Sequence, residues 1–311
     1  MKKKYAIGAD IGGSHISAIL VDMENGRMIP ESLAGQKVDN QASAEEILNN
    51  WAVAIRKTME HAANGELTGI GFAMPGPFDY QTGVALLKNV AKYDSLYGIN
   101  VGDELKKILG LPATMPFRYL NDAMLFAIGE CWIGKASGFK NVVAVTLGTG
   151  FGSAFLTNGI PIIDGSRVPP MGYVYNIPYK SGIADDYFST RWVVGEYAAR
   201  TGTLCKGVKE IAGLAATEPC AKELFNDFGR DMGGFLAPLL KTFEAACLVI
   251  GGNVSGAYPL FGPAFEKALD DHKTKVKIVI SELMESAAMV GSARLLDDGF
   301  WKGIEPLTSK I

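Results

Sequence analysis

Asp10-Ile11-Gly12-Gly13-Ser14-His15-Ile16-Ser17-Ala18-Ile19-Leu20 recurs, in pattern, as Thr146-Leu147-Gly148-Thr149-Gly150-Phe151-Gly152-Ser153-Ala154-Phe155-Leu156. Laid over each other, Gly12 meets Gly148, Ser17-Ala18 meets Ser153-Ala154, and Leu20 meets Leu156. Each copy reads as an apolar strand, a glycine turn and a second apolar strand, followed by the turn signals Asn25-Gly26 and Asn158-Gly159. A turn of this kind lets backbone N–H groups approach an anion. Two such turns facing each other would hold a polyphosphate from both sides. A merely permissive turn explains one copy, but not two at corresponding places.

Outward from these hairpins, strands and helices alternate. Ser43-Ala44-Glu45-Glu46 has capping-box spacing and opens a helix with Ile47, Leu48, Trp51, Ile55 and Met59 on one face, stopped at Asn64-Gly65. Leu67–Ala73 and Phe117–Leu120 read as strands, and a helix over 102–109 ends at Gly110. A long helix over 218–243 is expected to break near Gly233-Gly234, and one final helix to run over 286–300. The segment 160–189 reads as loop and short strand. The expected fold is α/β: two similar ribonuclease-H-like lobes, residues 1–121 and 122–311, flanking a cleft, with the last helix free to pack back on the first lobe.

The 311 residues suit two domains. A net charge of −3 offers no basic excess for nucleic acid. No leader pattern opens the chain and no apolar run is of membrane-spanning length. Cys131, Cys205, Cys220 and Cys247 form no metal-spaced pair, which suits free thiols in a reducing cytoplasm.

Three further places could carry chemistry. Asp10 stands at a strand end beside the first turn, where it caps the turn or holds a hydrated Mg²⁺ that in turn holds phosphate. Asn121-Asp122 lies between a strand and a helix. It is either an N-cap or a general base, Asp122, with Asn121 on a neighbouring substrate hydroxyl. Gly251-Gly252-Asn253 is a strand–helix turn that could admit a base or ribose.

Assembled, these segments resemble the ROK family of sugar kinases, in the actin-like ATPase superfamily. Ala9–Ser14 resembles the first phosphate motif, with Ser14 where Thr is usual. Gly69-Ile-Gly-Phe-Ala-Met-Pro75-Gly76-Pro-Phe-Asp79 resembles the G-I-G…P-G-P-x-D segment, Asn121-Asp122-Ala123 with Gly129-Glu130 the catalytic segment, Leu147–Gly152 the second phosphate motif, and Ile250–Asn253 the adenosine side. The resemblance implies phosphoryl transfer from ATP with Mg²⁺ to a hexose or related sugar. Asp122 would be the base. Pro75, Gly76, Asn121, Tyr173, Asn176 and Asp185 would line the sugar, and Asp10, Gly12, Gly13, Ser14, Gly148, Thr149, Gly150, Gly252 and Asn253 would hold the nucleotide. It also implies a homodimer.

The chain departs from the family around Gly172-Tyr173-Val-Tyr-Asn176 and Gly182-Ile183-Ala-Asp185. There Tyr173 replaces a sugar-binding Glu, Asn176 a zinc-binding His, Ile183 a Cys and Asp185 a second Glu, and the zinc loop is missing. No structural zinc is expected. These losses keep open a sugar-binding or sensing protein without turnover, and a phosphotransferase for a different alcohol.

Overall fold

The structure is a computed structural model that describes residues 2–62, 65–88 and 92–311. It divides into two compact units, Met1–Ile133 with Glu285–Ile311, and Gly134–Met284. The border thus falls after Ile133 rather than after residue 121, and the C-terminal segment belongs to the first unit.

The first unit opens with the expected hairpin, β1 (Lys4–Ile11) and β2 (His15–Asp22), extended by β3 (Arg27–Lys37). Helix α1 (Ala44–Met59) follows, capped by Ser43, whose side chain accepts from the Glu46 N–H. Its buried face, with Ile47, Trp51 and Ile55, covers the sheet. Fully burying a side chain of this size contributes about 1.5–3 kcal/mol. The expected stop at Asn64 lies outside the described residues. Then come β4 (Glu66–Met74), a short ladder of β5 (Phe78–Asp79) and β6 (Val84–Ala85), α2 (Val101–Leu109), β7 (Phe117–Asn121) and α3 (Asp122–Trp132). Gly110 closes α2 in the left-handed region, at φ 67°.

The second unit repeats the scheme with β8 (Asn141–Leu147), β9 (Phe151–Thr157) and β10 (Ile160–Pro161). The little hairpin β11 (Pro178–Tyr179) and β12 (Gly182–Ile183) leads into α4 (Ala184–Tyr187) and α5 (Thr190–Thr201). Next are α6 (Val208–Leu214), α7 (Pro219–Phe243), β13 (Cys247–Gly251), α8 (Tyr258–Asp271) and β14 (Lys277–Ile280). The chain then returns to the first unit as α9 (Ser286–Arg294) and α10 (Asp298–Thr308).

The strand orders are β3-β2-β1-β4-β7 and β10-β9-β8-β13-β14. In both sheets the first three strands pair antiparallel and the last two join in parallel. The duplication seen in the hairpins therefore extends to the topology of each whole sheet.

Two helix expectations need correction. α7 runs unbroken for 25 residues through Gly233-Gly234. Its glycines serve packing: a Cβ at Gly229 would meet the Phe261 carbonyl oxygen at 2.1 Å, and one at Gly233 would meet Ala268 Cβ at 2.7 Å, so α8 lies close against α7. The final helix is two, because the Asp297 side chain accepts from the Phe300 N–H and starts α10 afresh.

Helix α9 is what fixes the first unit's working end. A Cβ at Gly8 would meet the Met289 carbonyl oxygen at 1.7 Å, and one at Gly71 the Ser292 oxygen at 1.9 Å. The helix therefore rests directly on β1 and β4. A Cβ at Gly129 would likewise meet the Ala287 oxygen at 2.0 Å, which sets α3 against α9. No helix among the described residues is long and apolar enough to cross a membrane.

Candidate active site

In open sheets of this type, ligands gather at the carboxyl ends of the parallel strands. The register places Asp10 opposite Ala73, and Met74 opposite Asn121, so β1, β4 and β7 deliver Asp10, Pro75-Gly76 and Asn121-Asp122 to one sheet end. Pro75 is buried and Gly76 exposed.

Asn121 is the N-cap of α3: its side-chain oxygen accepts from the N–H groups of Ala123 and Met124. Its Nδ2 donates to Asp122 Oδ1 at 2.9 Å, and the Ala123 N–H donates to the same oxygen at 2.9 Å. The cap and the carboxylate are thus one device, in which the helix start orients Asp122. Water can reach Asp122, yet the protein crowding its carboxyl raises the pKa above the usual carboxylate range. The hydrogen bonds from Ala123 and Asn121 and the charge of Lys92 pull the other way.

Asp10 is pushed up to about 7, first by burial and then by the charges of Asp122 and Glu285. Oxygen donors crowded by like charge suit a hard divalent cation, which would relieve the repulsion. Among the described residues no group of three or more His, Cys, Asp or Glu could hold a metal ion.

The first turn is braced on its acceptor side. The Gly12 carbonyl accepts from the Tyr93 hydroxyl at 2.6 Å, the Gly13 carbonyl from Asn40 Nδ2, and the Ser14 carbonyl from the Val38 N–H at 2.9 Å. Tyr93 is fully buried with its ring edge-on to Trp51. Burial pushes its hydroxyl up to about 12, so it remains a donor. Gly13 and Ser14 are exposed, and a Cβ at Gly13 would meet nothing within 4 Å.

In the second unit Gly148-Thr149-Gly150 follows β8, with a bond from the Gly148 N–H to the Gly150 carbonyl at 3.0 Å. Gly252 follows the neighbouring β13 at φ 80°, and a Cβ there would meet the Leu147 carbonyl oxygen at 2.5 Å. Only glycine fits both that backbone and that contact. Asn253 beyond it is exposed.

Tyr173 is half-buried, its ring centroid 5.7 Å from that of Tyr175, and Asn176 is exposed. Their strap is fixed by buried Ser153, which donates to the Gly172 carbonyl and accepts from the Val174 N–H. The Tyr175 carbonyl accepts from the Asp185 N–H at 2.9 Å. The Asp185 carboxylate turns to the glycine turn, accepting from the Phe151 N–H at 2.6 Å and from Arg191 at 2.5 Å.

The profile of the ROK family matches residues 6–298. The chain belongs to the ROK family. Among relatives of this ROK protein, a glucokinase of Thermotoga maritima is 27% identical over 330 residues, 96% of this chain and 99% of the relative. A β-glucoside kinase of Listeria innocua is 26% identical, over 76% of this chain and 79% of the relative. The crystal structure of a ROK family glucokinase from Streptomyces griseus in complex with glucose and AMPPNP superposes with a TM-score of 0.72 at 23% identity, covering 94% of this chain and 98% of that one. That likeness shows the fold of this ROK protein.

Lys92, Tyr93, Asn40, Glu285 and Arg191 escaped the sequence reading. Tyr93 and Asn40 reach their carbonyls across 81 and 27 residues of chain, a separation that leaves no local pattern.

Proposed function

We propose that this ROK protein transfers the γ-phosphoryl group of ATP to a hydroxyl of a hexose or related sugar, with Asp122 as general base. The observation that carries the reading is the Asp122 carboxylate. It is oriented by Asn121 Nδ2 and the Ala123 N–H, and its pKa is raised. A carboxylate of raised pKa is a better proton acceptor near neutral pH and contributes roughly 10²–10⁴-fold.

In the proposed reaction the sugar oxygen forms a bond to the γ-phosphorus, and the bond from that phosphorus to the β–γ bridging oxygen breaks. The hydroxyl proton passes to Asp122, and ADP leaves. The N–H groups at Gly13-Ser14, and the turn at Gly148-Thr149-Gly150, would hold the phosphates. Gly252-Asn253 would receive the nucleoside, and Asp10 would hold Mg²⁺ through water. A divalent cation there supplies charge neutralisation for the phosphates. Catalysis then rests on positioning and fixed charge. Pro75, Gly76, Asn121, Tyr173 and Asn176 remain the candidates to meet the sugar, with a phenol where the family has a carboxylate. A homodimer, read by light scattering, belongs to the same proposal.

The test is ADP release from Mg·ATP in the presence of glucose, N-acetylglucosamine, mannose and a β-glucoside. Sugar-dependent release supports the reading. A sugar that raises the melting temperature while releasing no ADP would instead favour a binding or sensing protein.

A further inference from the structure

Asp185 and Thr190, close together in the chain, hold both ends of the second glycine turn. The Thr190 N–H donates to the Gly148 carbonyl at 2.8 Å, at the entrance. Asp185 Oδ1 accepts from the Phe151 N–H at 2.6 Å, at the exit. A Cβ at Gly150 would meet that same Oδ1 at 2.9 Å, so carboxylate and turn are in close contact. The second oxygen, Oδ2, accepts from Arg191 at 2.5 Å. The Asp185 side chain is only 20% exposed, whereas that of Arg191 is 59% exposed. Each oxygen accepts one bond, and the two together hold the carboxylate against the glycine turn and Arg191. A guanidinium has five donors and can hold a carboxylate and a phosphate at once.

We propose that Asp185 is a positioning residue for the Gly148–Gly150 turn rather than a sugar ligand, and that it presents Arg191 to the phosphates of the nucleotide. The inference rests on the reading of that turn as a phosphate site. It explains why an acidic side chain is tolerated beside a polyphosphate: its charge is spent on a backbone donor and on a cation that faces outward. It also gives the turn a positive charge that its own residues lack.

Calorimetric titration with Mg·AMPPNP and, separately, with glucose tests this on wild type, Asp185→Ala, Asp185→Asn, Arg191→Met and Arg191→Lys. Loss of a charge-assisted hydrogen bond should weaken Mg·AMPPNP about tenfold in Asp185→Ala and Arg191→Met. Glucose affinity should stay within about twofold, since no sugar contact is removed. Asp185→Asn keeps an acceptor for the Phe151 N–H and should lose less, about threefold. Arg191→Lys should recover part of the loss and restore the salt dependence of nucleotide binding that Arg191→Met flattens. Should Asp185→Ala prove too unstable, the other variants carry the same test. Unchanged Mg·AMPPNP affinity in Asp185→Asn and Arg191→Met, or selective loss of glucose affinity, overturns the inference. A wild-type protein that does not bind Mg·AMPPNP overturns the phosphate reading itself, which the variants alone would not do.

Discussion

The two glycine turns share a sequence pattern and a place in their sheets, but they are held by different parts of the chain. All three carbonyls of the turn at Gly12–Ser14 accept from neutral donors at three separate positions, Val38, Asn40 and Tyr93. The turn at Gly148–Gly150 is fixed through a carbonyl and an N–H, by the single stretch from Asp185 to Thr190. Their electrostatics differ as well. Asp10, Asp122 and Glu285 make the first an acidic neighbourhood, while the second carries Arg191 on its brace. A duplicated hairpin thus sets the shape of each turn, and the later chain decides its charge. On the proposed reading the first would set a hydrated cation and a proton acceptor beside the phosphates. The second would add a positive charge to the same phosphates.

The comparison breaks most sharply at Asp122. Replacing it with Asn keeps the helix start and removes the base. Turnover should fall about 10³-fold, within the range expected of a general base, while Mg·AMPPNP affinity changes little. For the wild type, kcat/KM should decline as pH falls through the pKa of Asp122. That decline should set in above the ordinary carboxylate range, because the pKa is raised.

The glycines sharpen the contrast. Gly13 has open space around its Cβ direction, whereas Gly150 faces Asp185. Gly13→Ala should leave stability within about 0.5 kcal/mol and yet weaken Mg·AMPPNP about tenfold, since the added methyl stands where a phosphate would approach. Gly150→Ala should weaken binding and also lower stability by about 1–3 kcal/mol, as overpacked sites do. Urea melts and titration of both variants read the difference. Equal stability losses would erase it.

Tyr93→Phe keeps the ring against Trp51 and removes only the hydroxyl. The Gly12 carbonyl then loses its donor, at a cost of about 1–2 kcal/mol. Nucleotide affinity should drop only severalfold, because Asn40 and Val38 still hold the turn. A change in affinity with no change in melting would contradict a bracing role.

Asp10→Asn should shift stability in the opposite direction. With a folded pKa of about 7 against an ordinary value of 3.8, Asp10 binds more protons in the folded state between those values. Its contribution to stability therefore falls as pH rises through that window and stays low above it. In the absence of Mg²⁺ and nucleotide, Asp10→Asn should be about 1 kcal/mol more stable than wild type at pH 8, with the gain shrinking toward pH 4. A loss of stability at pH 8 would show that the carboxylate is paired, not repelled.

What the sequence displayed were features written in neighbouring residues. The two hairpins, the Ser43 cap, the Gly110 stop and the strand that ends at Asn121 all have local signatures. α5 did not, because only Val193 and Tyr197 are buried on it and no apolar stripe marks the helix. Gly233 was misleading, since a glycine that permits a close helix contact looks the same in sequence as one that ends a helix. Asp185 was legible as an acid near the site, but its direction was not. That depended on Phe151 and Arg191, which meet it only in the fold.

The central claim is that Asp122 accepts a proton from a sugar hydroxyl while ATP gives up its γ-phosphoryl group. The most direct measurement is sugar-dependent ADP release by wild type and by Asp122→Asn, with Mg·AMPPNP binding measured on both. The account predicts release in wild type that the substitution abolishes while nucleotide still binds. Comparable release from the two proteins would contradict it, as would the absence of release with every sugar tried.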